Sequence, residues 1–361
     1  MLKRLKNLDW SLIAPSFLLT GFGLLSLYSS SIIRNDYSNF QKQLVFFLIG
    51  IVLMLFFSLF NWKTLKENSS LILGIYFICL IALLGILFFA PTVRGVKTWY
   101  KIGSFSLDPI EFTKIVLIIL LSKYFSKRHV EMYQVRHILL SGFYVLLPCI
   151  LVFFQPNLGS VLILISIWAW ILVVSGIHLR HFLLLVLCAL LVFSLGWNFL
   201  LKDYQKARIM GFMSPQLEPL GINWNQNQAK IAIGSGGFFG AGIGKGSQTQ
   251  YGFLPEPQND FIFAAIAEET GFLGITVLLS LFLVLLWNIF RVALASQTNF
   301  SRLFAIGFAS LIISQVFINI GMNLGILPII GISLPFVSYG GSGLISLLIG
   351  LGLLENMKNN P

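Results

Sequence analysis

The sequence predicts an all-α polytopic membrane protein with about ten transmembrane helices and a long extracytoplasmic loop between spans seven and eight. The chain is 57% hydrophobic and only 10% charged, and its mean hydropathy is +0.87. An average soluble domain carries about 25% charged residues. The apolar residues also form uncharged runs that reach the roughly 20 residues a helix needs to cross a bilayer. Residues 202–259 have no clear apolar period and predict the long loop.

The uncharged runs define ten predicted spans, which together make one membrane domain over residues 1–361. The spans are about 10–33, 44–62, 69–93, 109–126, 137–154, 158–177, 181–201, 261–290, 303–326 and 336–355. The fourth span is the least clean, because Glu111 and Lys114 lie in its first turns. Two runs are too long for a single span, and each is divided where prolines interrupt it, at 155–159 and at 327–335.

The distribution of basic residues predicts the orientation. Ten spans put both termini on one side, and the basic residues Lys3, Arg4 and Lys6 predict that this side is the cytoplasm. Nine cations nevertheless cluster on the outer side, in two groups: Arg94, Lys97, Lys101 and Lys114, then Lys202, Lys206, Arg208, Lys230 and Lys245. Basic residues are normally enriched on the cytoplasmic side of a membrane protein. Because these nine lie on the outer side, we expect an anionic ligand on the outer face.

The net charge of +11 does not predict nucleic-acid binding. The 24 basic and 13 acidic residues lie between apolar runs, and the basic ones form no dense patch. Each of the three cysteines lies inside an apolar run, which is typical of small core residues. The sequence contains no metal-site spacing of His, Cys and Asp. It therefore requires no cofactor and leaves a divalent cation unassigned.

The predicted loop contains eight glycines between Gly234 and Gly252. A Walker phosphate loop fails around Lys245, because Phe239 stands where its first glycine is needed and Gly246 where its hydroxyl is needed. The glycines either let the backbone approach a ligand closely or permit tight turns and re-entrant packing. We expect the loop to form short helices on the outer surface of the membrane.

Three carboxylates open the eighth span, where a charge is costly because hydrocarbon cannot replace its water. Asp260 lies near the outer interface, so it either caps the helix or has a catalytic or ligand-binding role. At about 100° per residue, Glu268 lies about 12 Å deeper and Glu269 faces nearly the opposite side of the helix from Asp260. We expect both glutamates to be structural and to pair with polar groups inside the bundle.

Three further segments each have two interpretations. Glu111 and Lys114 are three residues apart on one helix face, so they form an ion pair or line a cavity in which Lys114 holds a pyrophosphate. Trp99 fits an interfacial belt as well as a sugar contact. The small residues of Pro335–Ser342 permit close helix approach, and packing is the favoured interpretation there.

Several of these segments form an ordered set of motifs. They are Gly95–Trp99, Asp108–Lys114, Gln155–Ser160, Lys230–Gly237 with Leu254–Phe263 and Glu268–Glu269, and Leu334–Ser342. Together they resemble the SEDS family of bacterial shape, elongation, division and sporulation proteins over nearly the whole chain, and most closely its rod-shape branch. The sequence departs from the family pattern at Asp108, Ile110, Asn157, Gln258 and Asn259.

The resemblance implies a peptidoglycan glycosyltransferase that polymerises lipid II, the undecaprenyl-pyrophosphate-linked disaccharide-pentapeptide. Such an enzyme works at the outer face of the bacterial cytoplasmic membrane during elongation and shape maintenance. Its implied partners are a class B penicillin-binding protein with transpeptidase activity and other membrane proteins of the elongation complex. The family's essential acid corresponds to Asp260, its fourth-span pair to Glu111 and Lys114, and its loop arginine to Arg208. The candidate substrate-binding residues are Lys114, Glu111, Arg208, Trp99, Lys97, Lys230, Ser338 and Ser342.

Glycosyl transfer fits the chemistry of these residues. A carboxylate such as Asp260 can act as general base for an attacking sugar hydroxyl, and the cations Lys114 and Arg208 can stabilise a leaving pyrophosphate. Two other classes stay open: a flippase that moves lipid II without chemistry, and a scaffold that only recruits a synthase. The outward position of all three residues favours the enzyme, because an alternating-access carrier needs an inner-facing site or an internal repeat.

Overall fold

The computed structural model describes residues 8–32, 35–60, 62–92, 96–103, 105–127, 135–199, 203–213 and 223–359. Over these ranges the chain is helical apart from loops, turns and one short hairpin, which confirms the predicted helical class. The predicted cations Arg94 and Lys202 lie outside the described residues, as do Lys3, Arg4 and Lys6.

The described elements follow the chain in this order. The first part contains α1 (Trp10–Ser31), α2 (Ser38–Leu59), α3 (Trp62–Glu67), α4 (Ser69–Phe89), β1 (Tyr100–Ile102), β2 (Phe105–Leu107), α5 (Pro109–Ser126), α6 (Val135–Phe154) and α7 (Leu158–Val174). The second part contains α8 (Leu179–Phe199), α9 (Asp203–Met213), α10 (Trp224–Ser235), α11 (Ser247–Gln250), α12 (Ile262–Ala295), α13 (Asn299–Leu324) and α14 (Gly341–Asn359). Each predicted span overlaps one of the long helices.

Seven helices in the described ranges are long and apolar enough to cross a membrane, namely α1, α2, α4, α6, α12, α13 and a 19-residue part of α8. Helix α7 is apolar but shorter, with 17 residues. Helices α5 and α14 carry charged residues and bury most of their side chains. The chain is therefore a polytopic membrane protein, while the count of ten spans stays a prediction.

Helices α5 and α14 lie at the centre of the bundle. Helix α14 packs along α2, and Gly352 allows this close approach because a side chain there would meet the backbone of Met54. Helix α1 packs along α12, and α13 packs against α5, α7 and α12. As a result, the N-terminal ends of α5, α12 and α14 and the C-terminal end of α13 meet at one end of the bundle.

A small antiparallel hairpin precedes α5, which the all-α prediction did not include. Strand β1 pairs with β2 in the register Tyr100 to Leu107, Lys101 to Ser106 and Ile102 to Phe105. The strands are only three residues each, too short for a detectable period of two in the sequence. The hairpin turns the chain so that Asp108 directly follows β2 and caps α5.

The loop before α12 contains the short helices α9, α10 and α11, as predicted. Part of it inserts beside α12, which is broken at Gly271 with φ 65° and ψ −165°. Four backbone hydrogen bonds of 2.9–3.1 Å join residues 237–242 to residues 268–273. Each segment donates two of these bonds. A Cβ on Gly236 or Gly240 would collide with the backbone of α12. At these positions the glycines therefore serve re-entrant packing.

Candidate functional site

Asp260 lies at the meeting point of the helix ends, two residues before α12. The N-cap of α12 is Phe261, which makes no side-chain capping bond. Capping by Asp260, one of its two predicted roles, is therefore wrong. The turn before the helix explains the difference, because the N–H groups of Asn259 and Phe261 donate to the carbonyl of Glu256 and delay the first helical turn. Asp260 is half-buried, and its Oδ2 lies 3.5 Å from where a Cβ on Gly331 would stand.

The backbone of Asp260 is held by two asparagines of α13. Nδ2 of Asn319 donates to the Asp260 carbonyl over 3.1 Å, and Nδ2 of Asn323 donates to the same oxygen over 3.0 Å. Asn319 also donates to the carbonyl of Ile332 over 2.7 Å. Both asparagine side chains are fully buried. They fix the turn that carries Asp260 against the segment that follows α13.

Arg208, in helix α9, contacts the same segment that follows α13. Nη1 of Arg208 donates to the carbonyl of Ile329 over 3.4 Å. Ile329 is two residues before Gly331, against which the Asp260 carboxylate lies. The exposed guanidinium and the carboxylate, which are 52 residues apart in the sequence, are thus brought to one short segment.

Glu111 and Lys114 form the predicted ion pair in the first turns of α5. Nζ of Lys114 lies 2.7 Å from Oε1 of Glu111, and the side chains are 3% and 16% exposed, respectively. A Cβ on Gly343, in the first turn of α14, would stand 3.8 Å from Oε2 of Glu111. The pair therefore lies between the N-terminal ends of α5 and α14.

Ser338 and Ser342 form hydrogen bonds to the turn that contains Asp260 and to the start of α5, respectively. Oγ of Ser338 donates to the carbonyl of Asn259 over 2.8 Å, one residue before Asp260. Oγ of Ser342 accepts the N–H of Asp108 over 2.8 Å. These bonds give Pro335–Ser342 a packing role, since the segment connects the turn of Asp260 with the start of α5. A substrate contact of Ser338 or Ser342 stays a prediction.

Asp108 differs chemically from the amide expected in the resembled family. It lies just before the predicted span 109–126, and its Oδ1 accepts the N–H of Ile110 over 3.1 Å. Burial and, to a smaller extent, the carboxylate of Glu111 together raise the pKa of Asp108 to about 8, although Lys114 and the N–H of Ile110 act to lower it. The raised pKa favours the protonated carboxyl, which adds less charge beside the ion pair than an ordinary aspartate would.

Two predicted cations rest against helix C-terminal ends. Nζ of Lys97 donates to the carbonyl of Leu87 in the last turn of α4, over 3.0 Å. The side chain of Lys230 lies against Gly325, the C-cap of α13. Both positions suit a cation because the C-terminal end of a helix carries partial negative charge. Trp99 is 37% exposed beside the hairpin. A substrate contact of these three residues stays a prediction.

Glu268 and Glu269 are structural, as predicted. Glu268 accepts from the N–H of Gln248 over 2.7 Å and from the N–H and Oγ1 of Thr249 over 3.0 and 2.7 Å. Oε1 of Glu269 accepts from Oγ of Ser29 and from Nε2 of Gln250, the latter over 3.3 Å. The two carboxylates hold the glycine-rich part of the loop on α12. In the described part of the chain, no three His, Cys, Asp or Glu side chains form a group suited to a metal ion.

A profile comparison decides the family. The profile of FtsW, RodA and SpoVE, described as "Cell cycle protein", matches residues 9–361. The chain belongs to the FtsW/RodA/SpoVE family. This is the SEDS family, so the resemblance of the motifs is confirmed.

Members of the FtsW/RodA/SpoVE family align with this chain over nearly its whole length. Stage V sporulation protein E of Bacillus subtilis is 36% identical over 361 residues, covering 97% of this chain and 96% of the relative. Peptidoglycan glycosyltransferase MrdB of Escherichia coli is 33% identical over 354 residues, covering 98% and 94%.

Solved structures share the fold. A chain from a study of how a peptidoglycan synthase complex coordinates polymerization and crosslinking has a TM-score of 0.83 at 29% identity, with 98% of both chains covered. The rod shape determining protein RodA of Thermus thermophilus has a TM-score of 0.73 at 27% identity, covering 98% of this chain and 97% of RodA. The fold of this chain is therefore that of the FtsW/RodA/SpoVE family.

Sequence reasoning missed the asparagines and the segment that follows α13. Asn319 and Asn323 are four residues apart in an otherwise apolar run, and buried amides in a span require partners. That spacing was a usable signal. The contact of Gly331 with Asp260 had no comparable signal, because nothing local relates a loop glycine to a carboxylate 71 residues before it.

Proposed function

We propose that this protein polymerises lipid II into glycan strands at the outer face of the bacterial cytoplasmic membrane, during elongation and shape maintenance. Membership of the family and whole-length relatives named peptidoglycan glycosyltransferases support this: the chain is a peptidoglycan glycosyltransferase. The observation that carries the site is the approach of the Asp260 carboxylate and the Arg208 guanidinium to one segment, Ile329–Gly331.

In the proposed reaction, Asp260 accepts the proton of a sugar hydroxyl as the hydroxyl oxygen attacks the anomeric carbon of the donor glycan. The new glycosidic C–O bond forms while the bond from the anomeric carbon to the lipid pyrophosphate breaks. The leaving pyrophosphate takes the bonding electron pair, and Arg208 and Lys114 stabilise its charge. Because pyrophosphate is a good leaving group, cations can replace a general acid.

The proposed setting extends to topology and partners. The chain crosses the membrane repeatedly with both termini in the cytoplasm, so that the ends of α5, α12, α13 and α14 that surround Asp260 face outward. Its partners are a class B penicillin-binding protein, whose transpeptidase crosslinks the glycan, and other elongation-complex membrane proteins. The likeness to a chain of a peptidoglycan synthase complex supports such an assembly.

The direct test is polymerisation of labelled lipid II by the purified protein, alone and with its penicillin-binding partner, with products resolved by length. We expect Asp260→Asn to keep the fold and abolish polymerisation. Asp36→Asn is the matched control, because Asp36 is an exposed aspartate in the turn before α2, where it accepts the N–H of Ser38. Polymerisation retained by Asp260→Asn would remove Asp260 from the mechanism.

The same preparation distinguishes the other function classes. In vesicles that contain lipid II, a flippase moves the lipid between leaflets without forming glycan, whereas the proposed enzyme forms glycan from lipid II presented on one leaflet. A scaffold does neither and only raises the activity of an added synthase. Glycan formed by the chain without an added synthase would exclude both alternatives.

A further inference from the structure

Asn319 and Asn323 occupy the last turns of α13, at the end of the bundle where Asp260 lies. Both are fully buried. An amide without partners is costly in such a position, so its contacts explain why it is tolerated. The partners are backbone groups of the Asp260 turn and of the segment that follows α13. Nδ2 of Asn323 also donates to the carbonyl of Asn319 over 2.8 Å and to its Oδ1 over 3.4 Å.

Asn323 takes the place of one helical hydrogen bond. Its Oδ1 accepts the N–H of Ala264 over 3.2 Å, and its Nδ2 donates to the carbonyl of Asp260 over 3.0 Å. In a helix extended by one turn, that N–H would donate directly to that carbonyl, because the two residues are four apart. The amide of Asn323 thus separates the two groups. Asp260 therefore stays outside the regular helix, while its carbonyl and the N–H of Ala264 both keep a hydrogen-bond partner.

Asn319 joins this turn to the segment Ile329–Ile332. Its Nδ2 donates both to the Asp260 carbonyl over 3.1 Å and to the Ile332 carbonyl over 2.7 Å. Within the same four residues, Gly331 lies against Oδ2 of Asp260 and the Ile329 carbonyl accepts from Arg208. One amide therefore links the backbone of the carboxylate-bearing residue to the segment that receives the cation.

We propose that Asn319 and Asn323 are positioning residues that hold the Asp260 carboxylate at the same segment, Ile329–Ile332, that Arg208 contacts. They act through backbone groups, namely the carbonyls of Asp260 and Ile332 and the N–H of Ala264, and do not touch the reacting atoms. The inference rests on the proposed function of Asp260. Small displacements of a catalytic group cost as much as about 100-fold in rate, so loosening either amide lowers turnover while substrate binding remains.

The test uses Asn319→Leu and Asn323→Leu, which replace the amide by an apolar group of similar size. We expect kcat for lipid II polymerisation to fall about 100-fold in each variant, with KM changed less than about threefold. Asn288→Leu is the matched control: Asn288 is another buried amide, and its Nδ2 donates to the carbonyl groups of Ser11 and Val284, away from Asp260. A kcat in the Asn319 and Asn323 variants equal to that of this control would overturn the proposal.

Two measurements separate positioning from a general loss of fold. In an Arg208→Gln background that keeps residual polymerisation, Asn319→Leu should cause less than its full loss of activity, because residues that act as one unit are not additive. Hydrogen exchange at the amide of Ala264 should rise in Asn323→Leu, whatever the activity, and stay unchanged in Asn288→Leu. Independent multiplication of the two activity losses, or unchanged exchange, would contradict the positioning role.

The outcomes also separate this inference from the proposed function. If Asp260→Asn is inactive while Asn319→Leu and Asn323→Leu keep normal kcat, the positioning role alone fails. If Asp260→Asn is active, the role of Asp260 as base fails and the positioning role fails with it. Asn319→Ser, which keeps a hydroxyl donor, should recover part of kcat; a hydroxyl variant as slow as the leucine variant would count against a hydrogen-bonding role.

Discussion

The carboxylate of Asp260 lies beside the position that a Cβ atom on Gly331 would occupy. A Cβ there would stand 3.5 Å from Oδ2 of Asp260, and Gly331 has a φ of 74° that favours glycine. Gly331 therefore both forms the turn after α13 and leaves space beside the proposed base.

Gly331→Ala tests this relationship. The positive φ costs roughly 1–2 kcal/mol for a residue with a Cβ, and the methyl group occupies the space beside Oδ2. We expect polymerisation to fall at least tenfold. Gly176→Ala is the control, because Gly176 has a φ of 91° and open space where its Cβ would be. Equal loss of activity in the two variants would show that backbone strain alone is responsible.

The ion pair of Glu111 and Lys114 predicts different effects on stability and activity. Removal of one partner leaves the other charge buried, which costs about 3–5 kcal/mol. We therefore expect Glu111→Gln and Lys114→Met each to lower the melting temperature strongly. The double variant removes both charges and should regain most of the stability. Because Lys114 is also proposed to stabilise the pyrophosphate, polymerisation should stay lost; recovery of activity in the double variant would contradict that role.

The hydrogen bonds of Glu268 are expected to stabilise the glycine-rich part of the loop before α12. Its carboxylate accepts backbone and hydroxyl hydrogen bonds from residues 247–249, and a buried donor left without its partner costs about 1–3 kcal/mol. In Glu268→Gln an amide NH₂ faces some of the same donors, so we expect faster hydrogen exchange over residues 241–251. Glu67→Gln, at an exposed glutamate in α3, is the control. Exchange that is equally slow in both variants would count against an anchoring role.

Asp108 predicts a pH dependence of stability. Its pKa is about 8 in the folded protein, against a reference value of 3.8, so the folded state retains a proton that the unfolded chain releases. The stabilising contribution is complete below about pH 4 and is lost as pH rises toward 8, by at most about 1.4 kcal/mol per unit. Asp108→Asn keeps a capping side chain but cannot titrate. Melting temperatures between pH 5 and pH 8 should fall more steeply in the unchanged protein than in Asp108→Asn. Parallel curves would contradict the raised pKa.

The sequence by itself determined the features that depend on neighbours along one helix. Long uncharged runs predicted the apolar helices, because a bilayer requires a minimum length. The spacing of Glu111 and Lys114 predicted their ion pair, since residues three apart share a helix face. The motifs around Asp260 also identified the family before any contact was known.

Only the tertiary structure decided how Asp260 is held. Its carbonyl is bonded by Asn319, 59 residues away, and its carboxylate lies against Gly331 in a loop. Helical periodicity says which residues share a face of α13, but not which face turns toward α12. Packing of the whole bundle sets that rotation. The same packing moved the start of α12 beyond Asp260 and brought Arg208 to Ile329.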